Sequence, residues 1–417
     1  MTVRVVRSVR TGVTGALVAA AVTATLLATP ADAAGARAGT SGARAGTSGA
    51  VAGTSGAVAE APDTGAGVLG ADSGRRHAKT RAALDAAVAA GVPGATARVD
   101  DKYGVWKATS GLGDLTTGAP RGGHDRYRVG SVTKTFVATV LLQLQGEDRI
   151  DLDDPVERWL PGLVRGEGYD ARRITVRHLL NHTSGIFDFL EDRRFADTYL
   201  DEDFLDHRYD SFTPEQLVAT GVRNKARFDP GEGWDYSNTN YVLAALIIEE
   251  VTGRSYGEEI RRRIIKPLGL RATSVPGTEP TLPEPSSRAY ATLGSPDGTL
   301  HDVTELNPSG SFGSGEMISD SRDLTRFYSA LLRGRLLPRE QLAEMMPTVP
   351  ARPGADYGLG LQRWRTSCGT PVWGHGGEIH GSVSVALTSP DGRHSLAFNF
   401  NGEGDWQPVA NAEFCGR

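Results

Sequence analysis

The sequence predicts an α+β fold: an antiparallel sheet flanked by helices, assembled from both ends of the chain, with a mainly helical domain inserted between them. Three observations carry this. Gly94 to Asp100 and Tyr103 to Ser110 read as a strand pair turning at Asp100-Asp101, directly after a helical stretch from Ala78 to Ala90. From Tyr357 the pattern is strand again: Tyr357 to Arg365, Pro371 to His375, Ser382 to Ser389 and Ser395 to Asn401, with a hairpin turn at Asp391-Gly392. Between about 150 and 305 the apolar spacing is helical, with long loops. Strand-rich ends around a helical middle fit one sheet that closes across both ends of the chain.

Taken in order, the chain opens with Arg4, Arg7 and Arg10, an apolar run from Val13 to Leu27, and the small-x-small triplet Ala31-Asp32-Ala33 after Pro30. That is the pattern of a signal peptide over residues 1–33. Within residues 34–72, Gly35-Ala-Arg-Ala-Gly-Thr-Ser41 recurs as Gly42 to Ser48 and, with valine for arginine, as Gly49 to Ser55, a period of seven whose fourth copy fades out at Glu60. Alanine and glycine fill the apolar slots and bury too little to offset chain entropy, so a disordered linker is expected. Residues 73–417 are long enough for two packed lobes, a sheet lobe of about 73–150 and 305–417 and a helical lobe of about 150–305. In the helical lobe, Pro214 to Val222 has Thr213 as its cap and proline at its first position; Tyr241 to Val251 and Tyr256 to Ile265 follow. Phe187 to Asp210, rich in acids and aromatics, reads as a surface excursion that lines a cleft. A glycine-serine turn, Gly310 to Gly315, precedes a helix from Ser321 to Leu332, and a last helix spans Pro408 to Phe414.

The net charge of −5 and the lack of a basic patch exclude nucleic-acid binding. No run after the leader is apolar and long enough for a membrane anchor. The two cysteines, Cys368 and Cys415, are expected to pair outside the cell.

The stretch Tyr127-Arg-Val-Gly-Ser-Val-Thr-Lys-Thr-Phe136 reads as a strand end, a glycine turn and a helix beginning at Ser131. Three residues apart on a helix, Ser131 and Lys134 share a face. Lysine, unlike arginine, can lose its proton when desolvated, and this chain uses only six: Lys79, Lys102, Lys107, Lys134, Lys225 and Lys266. The positive end of a helix also suits a nucleophile whose reaction creates an oxyanion. The bland alternative is a helix-capping serine beside a solvated lysine. Two further stretches join the pair. Trp234-Asp-Tyr-Ser-Asn238 offers a phenol at Tyr236 and an amide at Asn238. Trp373-Gly-His-Gly-Gly377 follows a strand, its glycines allowing a substrate backbone to approach the sheet edge.

Ser-x-x-Lys, Tyr-x-Asn and His-x-Gly in this order resemble the penicillin-recognising serine hydrolases, in the branch of class C β-lactamases and secreted D-alanyl-D-alanine carboxypeptidases. Leu179 to Ile186, Pro267-Leu-Gly-Leu270, Ser367-Cys-Gly369 and the final Cys415-Gly416 add to the likeness, which covers about residues 75 to 417. The resemblance implies a β-lactamase-like fold and an acyl-enzyme on Ser131. Lys134 would be the base, Tyr236 a proton relay to the leaving group, and Asn238 an orienting group. His375 would bias the field beside Tyr236, and the N–H groups of Ser131 and Glu378 would form the oxyanion hole. The implied activity is D-alanyl-D-alanine carboxypeptidase-like hydrolysis of peptidoglycan stem peptides, with an esterase, a weak β-lactamase or a penicillin-binding sensor as alternatives. The substrate would be a small peptide, β-lactam or ester, and the chain is expected to be a monomer. No metal or other cofactor is expected: His178 and His182 have zinc-helix spacing, but Leu179 stands where the needed glutamate would be.

Carboxypeptidase members usually carry threonine on both sides of the last motif glycine; here Gly376 and Glu378 flank Gly377. The usual arginine on the preceding strand is displaced as well, with Gln362 in its place and Arg363 and Arg365 beyond it. Arg363 is the candidate carboxylate anchor.

Overall fold

The computed structural model describes residues 75–416 apart from Glu202. The leader expected over 1–33 and the linker over 34–72 lie outside the described residues. A first helix, α1 (Ala78–Ala89), leads into strands β1 (Gly94–Asp101) and β2 (Gly104–Gly111). The chain then enters helix α2 (Thr133–Gly146) and passes through α3 (Pro214–Val222), α4 (Asn238–Thr252) and α5 (Ser321–Leu332). Six strands follow: β3 (Val349–Arg352), β4 (Ala355–Tyr357), β5 (Gln362–Arg365), β6 (Pro371–Ile379), β7 (Ser382–Thr388) and β8 (Ser395–Phe400), before helix α6 (Gln407–Cys415). The eight strands form one antiparallel sheet in the order β2-β1-β8-β7-β6-β5-β4-β3. β1 pairs with β8 across about 300 residues of chain, so the expected closure of the sheet from both ends is what the fold does.

Each face of the sheet buries a different cluster. On one, Leu84 of α1 and Val409 of α6 pack with Val99, Val385, Phe398 and Phe400. On the other lie α2, α4 and α5, with Phe136 stacked on Phe327 at 3.7 Å. Helix α2 is apolar almost all round, and eleven of its residues are buried, Lys134 among them. A helix of that composition belongs in a core. The helix α3 starts as its sequence implies, with a reciprocal cap between Thr213 and Gln216 and proline in the first turn.

Two expectations need correction. Phe187 to Asp210 is not a surface excursion. It contains helical turns at Phe189–Glu191, Arg193–Tyr199 and Phe204–His207, and Phe189, Phe195, Tyr199 and Phe204 are buried in ring contact with one another. Its acids are used locally: the side chains of Asp188 and Asp192 accept backbone N–H groups at the helix starts. Tyr357 to Arg365 is not one strand. It breaks at residues 358–361, where Gly360 has φ +67° and a Cβ would lie 2.5 Å from that of Ala138. The Gly360 carbonyl accepts from the Thr135 hydroxyl at 2.7 Å, which pins the break to α2. In consequence β5 pairs only with Pro371 to Gly374 of β6, and the stretch from His375 to Ile379 keeps one edge free of strand partners.

The two ends of the domain are tied twice. Buried Glu413 on α6 accepts from Thr80 at 2.7 Å and faces His77 and His394. Burial alone would raise its pKa, but the His394, His77 and Thr80 hydrogen bonds outweigh it and hold the carboxylate well below its usual range. Cys368 and Cys415 are bonded, 47 positions apart. In the chain-entropy picture a loop of that length contributes about 4 kcal/mol. The Cys368→Ser/Cys415→Ser variant is therefore expected to lose stability on that scale in urea unfolding while kcat/KM stays at the wild-type value. Two titratable thiols in the unreduced protein would contradict the pairing.

Candidate active site

Ser131 lies in a single 3₁₀ turn, Gly130–Val132, ahead of α2, and its hydroxyl caps nothing. The capping-serine alternative therefore fails, and so does the solvated lysine, since Lys134 is fully buried. The Lys134 Nζ sits 3.0 Å from Ser131 Oγ, 2.7 Å from Asn238 Oδ1 and 2.7 Å from the carbonyl of Ser314. Asn238 Oδ1 and the Ser314 carbonyl can only accept. A neutral amine has two N–H bonds and one lone pair, so with both N–H bonds engaged there the lone pair faces Ser131. Burial pulls the Lys134 pKa down, the nearby Asp188 carboxylate opposes it, and the balance is about 7.

Asp188 is the part of this arrangement that motif reading missed. The Asn238 amide donates to Asp188 Oδ2 at 2.8 Å, which turns Asn238 Oδ1 toward the lysine. Burial raises the Asp188 pKa to about 6. The only available hint was an acid in the Phe187 to Asp210 stretch, fifty positions before the motif. The turn bearing Ser314 is held in its own way: buried Glu316 accepts from the Gly313 and Gly277 N–H groups and from the Tyr256 hydroxyl, and its burial moves its pKa up to about 7.

Tyr236 is half-buried in the same cavity as Ser131, with Lys134 Nζ 4.9 Å from its ring centroid. Burial pushes its phenol well above the usual value, and the Ser131 hydroxyl opposes this only in part. At neutral pH it is a proton donor. Behind it lies His182, fully buried, its ring 4.2 Å from that of Tyr236. His182 Nδ1 receives the Ser237 N–H at 3.1 Å, so this histidine belongs to the scaffold of the tyrosine turn.

His375 does not play the part expected of it. Its Nδ1–H meets the Gly376 carbonyl, and its Nε2 accepts from the Tyr357 hydroxyl at 2.8 Å. Burial lowers its pKa to about 3, so the ring is neutral and supplies no positive field beside Tyr236. Its effect is to fix the strand that carries Gly376.

The free edge of β6 lies against the serine turn. At Gly130, φ is +51° and a Cβ would come within 2.6 Å of the Glu378 backbone nitrogen; at Gly377 it would fall 2.8 Å from the Ser131 nitrogen. Only glycines permit this approach, which places the two N–H groups expected to hold an oxyanion side by side. At Gly376, by contrast, a Cβ would meet nothing nearer than 4.0 Å, so this glycine leaves space in the cleft.

Two cavities meet at Glu378. One, of about 310 Å³, is lined by Ser131, Tyr236, Gln362, His375 and Gly377 and reaches Arg352, Trp364 and Trp406. The other, of about 340 Å³, is lined by Leu190, Tyr199, Leu200, Leu293 and Ile379, with Glu403 at its rim. The Phe187 to Asp210 stretch thus does line a cleft, through Leu190, Tyr199 and Leu200. The Glu378 side chain is exposed by area, yet the cleft walls desolvate its carboxyl and raise its pKa, with Glu403 adding to the rise and Arg352 opposing it. Arg363 is not brought to the site. Its guanidinium is held by Asp356, which also takes Arg365. These odd-numbered positions of β5 share one strand face, and Gln362 and Trp364 on the other line the cavity.

The family model described as Beta-lactamase matches residues 78–414. The chain belongs to this family. Its fold is the β-lactamase-like one, and among solved structures of the family two are especially informative. A D-stereospecific amidohydrolase from Streptomyces sp. is 58% identical, with a TM-score of 0.78 over 82% of this chain and 99% of that one. A D-amino acid amidase from Ochrobactrum anthropi SV3, complexed with D-phenylalanine, is 31% identical, with a TM-score of 0.71 over 82% of this chain and 100% of that one. Penicillin-binding protein 4* of Bacillus subtilis is 28% identical over 71% of this chain, which spans 65% of that protein's length. The Ser-x-x-Lys, Tyr-x-Asn and His-x-Gly stretches of this chain are gathered at this one site.

Proposed function

We propose that this protein is a serine hydrolase that cleaves the amide, peptide or ester bond after an N-terminal D-amino acid, through an acyl-enzyme. The observation that carries the substrate side is Glu378. Its carboxylate stands between the cavity that holds Ser131 and the apolar cavity, with Glu403 nearby. An α-ammonium group is attracted there, and a carboxylate is repelled. An apolar side chain on the same residue has Leu190, Leu293 and Ile379 to pack on. The D configuration is supported by the two amidohydrolases of known structure.

In this reading the neutral Lys134 takes the Ser131 proton as Oγ attacks the acyl carbon. The carbonyl oxygen becomes an oxyanion held by the Ser131 and Glu378 N–H groups. The amine or alcohol then leaves as the C–N or C–O bond breaks, and it takes a proton through the Tyr236 phenol, which Lys134 re-protonates. Water enters by the same steps in reverse and releases the D-amino acid. Export through the leader at residues 1–33, and action as a monomer, belong to the same proposal; the bonded Cys368–Cys415 pair supports export.

Glu378→Gln is expected to lower kcat/KM for D-phenylalanine amide about ten-fold or more, mainly through KM, because one charge-assisted contact is lost. The N-acetylated substrate, which has no ammonium, falls much less. Equal losses on both would mean that Glu378 reads no amine. The second reading is D-alanyl-D-alanine carboxypeptidase on peptidoglycan. It is favoured by one observation, a cationic Arg352 in the serine cavity, and opposed by the charge of Glu378.

A further inference from the structure

The cavity around Ser131 has a cationic end that the proposed chemistry does not use. Arg352 is the last residue of β3, and its guanidinium lies 4.8 Å over the ring of Trp364. Trp364 is itself fixed: its Nε1–H donates to Gln362 Oε1 at 2.9 Å, and Trp406 packs edge-on at 4.8 Å. Among the described residues the Arg352 guanidinium has no hydrogen bond and no ion pair, and the residue is exposed in the cleft. The two arginines of the adjacent strand are in the opposite situation, both drawn to Asp356. The charge of Arg352 reaches the site: burial raises the pKa of Tyr236 and Glu378 and lowers that of His375, and Arg352 opposes the first two shifts in part and adds a little to the third.

The cleft is therefore polar along its length. Glu378 lines both cavities, with Glu403 on the apolar, acyl side, and Arg352 on its tryptophan lines the cavity that holds Ser131. A guanidinium with all five N–H donors unused, held flat by a ring, suits a carboxylate that arrives in its plane. Gly376, which lines the same cavity, adds no side chain to fill it.

We infer that Arg352 anchors the free carboxylate of the leaving residue, and that the substrates are unblocked short peptides: an N-terminal D-amino acid joined to a residue that keeps its own carboxylate. This rests on the acyl-side reading above, with the ammonium on Glu378. At no more than about 3.6 Å per residue, a dipeptide is short enough to sit within the one cleft that holds both charges.

The test compares D-phenylalanyl-glycine, its C-terminal amide and D-phenylalanine amide. The wild-type protein is expected to prefer the free peptide over its amide by about ten-fold or more in kcat/KM. Arg352→Ala removes that preference through KM, and Arg352→Lys keeps part of it, since a point charge remains without the fork. If wild type takes the free peptide and its amide equally, or if Arg352→Ala lowers all three substrates by one factor, Arg352 is not the anchor. Should wild type cleave only N-acylated peptides, the acyl-side reading fails. Arg352 is then judged on N-acetyl-D-alanyl-D-alanine against its amide: a preference abolished by Arg352→Ala supports the anchor, and an equal loss on both rejects it.

Discussion

Ser131→Ala is expected to remove turnover by several orders of magnitude, as loss of a catalytic serine does elsewhere, and to leave the fold intact. The geometry separates the two effects. Ser131 Oγ caps no helix, so the substitution costs no cap. What it removes is one hydrogen-bond partner of Lys134, a contact worth about 1 kcal/mol; Asn238 and Ser314 still hold the amine. The thermal midpoint should therefore stay close to that of wild type while the covalent intermediate vanishes. Rapid quenching with a D-phenylalanine ester, read by intact mass, checks this directly. Wild type should gain the mass of the D-phenylalanyl group, and the alanine variant should gain nothing. An adduct of the same mass on the variant would place the nucleophile elsewhere.

Sequence reading recovered the parts of this site whose logic is local. Ser131 and Lys134 are one helical turn apart, and Tyr236 and Asn238 flank a helix start, so their neighbourhoods are set by a few residues. Parts set by tertiary packing were not legible. Asp188 acts across fifty positions, from a stretch whose acids looked like solvated surface; its aromatic neighbours turn out to be core. Arg352 sits on a strand that includes Pro350 and is followed by Pro353, a pattern that argues against a central strand. It is tolerated at the sheet edge, where ladder N–H groups are not needed. Whether Arg363 or its neighbours face the cleft depends on a register of one residue, which only the break at Gly360 decides. His375 was visible as a residue but not as a neutral one, because its charge state follows from burial beside Tyr357. The outline of the sheet was legible for the opposite reason: β7 and β8 are short runs buried along their whole length, and β1 over most of its own, so the pattern of each strand is local.

The base is the other point on which activity depends. Lys134→Met should lower kcat/KM by about 10²- to 10⁴-fold, the usual contribution of a positioned base. Lys134→Arg should do the same, because arginine keeps the charge and donors but cannot give up its proton. An arginine variant within about ten-fold of wild type would show that no deprotonation occurs at this position. The pH profile gives the sign. Burial lowers the Lys134 pKa to about 7, so below that pH the amine is protonated and has no lone pair for the serine. kcat/KM should climb with pH up to about 7 and level off above it. Neither histidine near the cleft produces such a limb, since burial takes both His182 and His375 well below it, and the raised phenol of Tyr236 lies above it. Glu316 is the other buried group brought to about 7, and it holds the turn of Ser314. Glu316→Gln separates the two: with Lys134 as the base the limb persists in that variant. Asp188→Asn completes the argument, because the carboxylate raises the lysine pKa. Without that charge the limb should move to lower pH, and a limb that stayed in place would detach Asp188 from the base it faces.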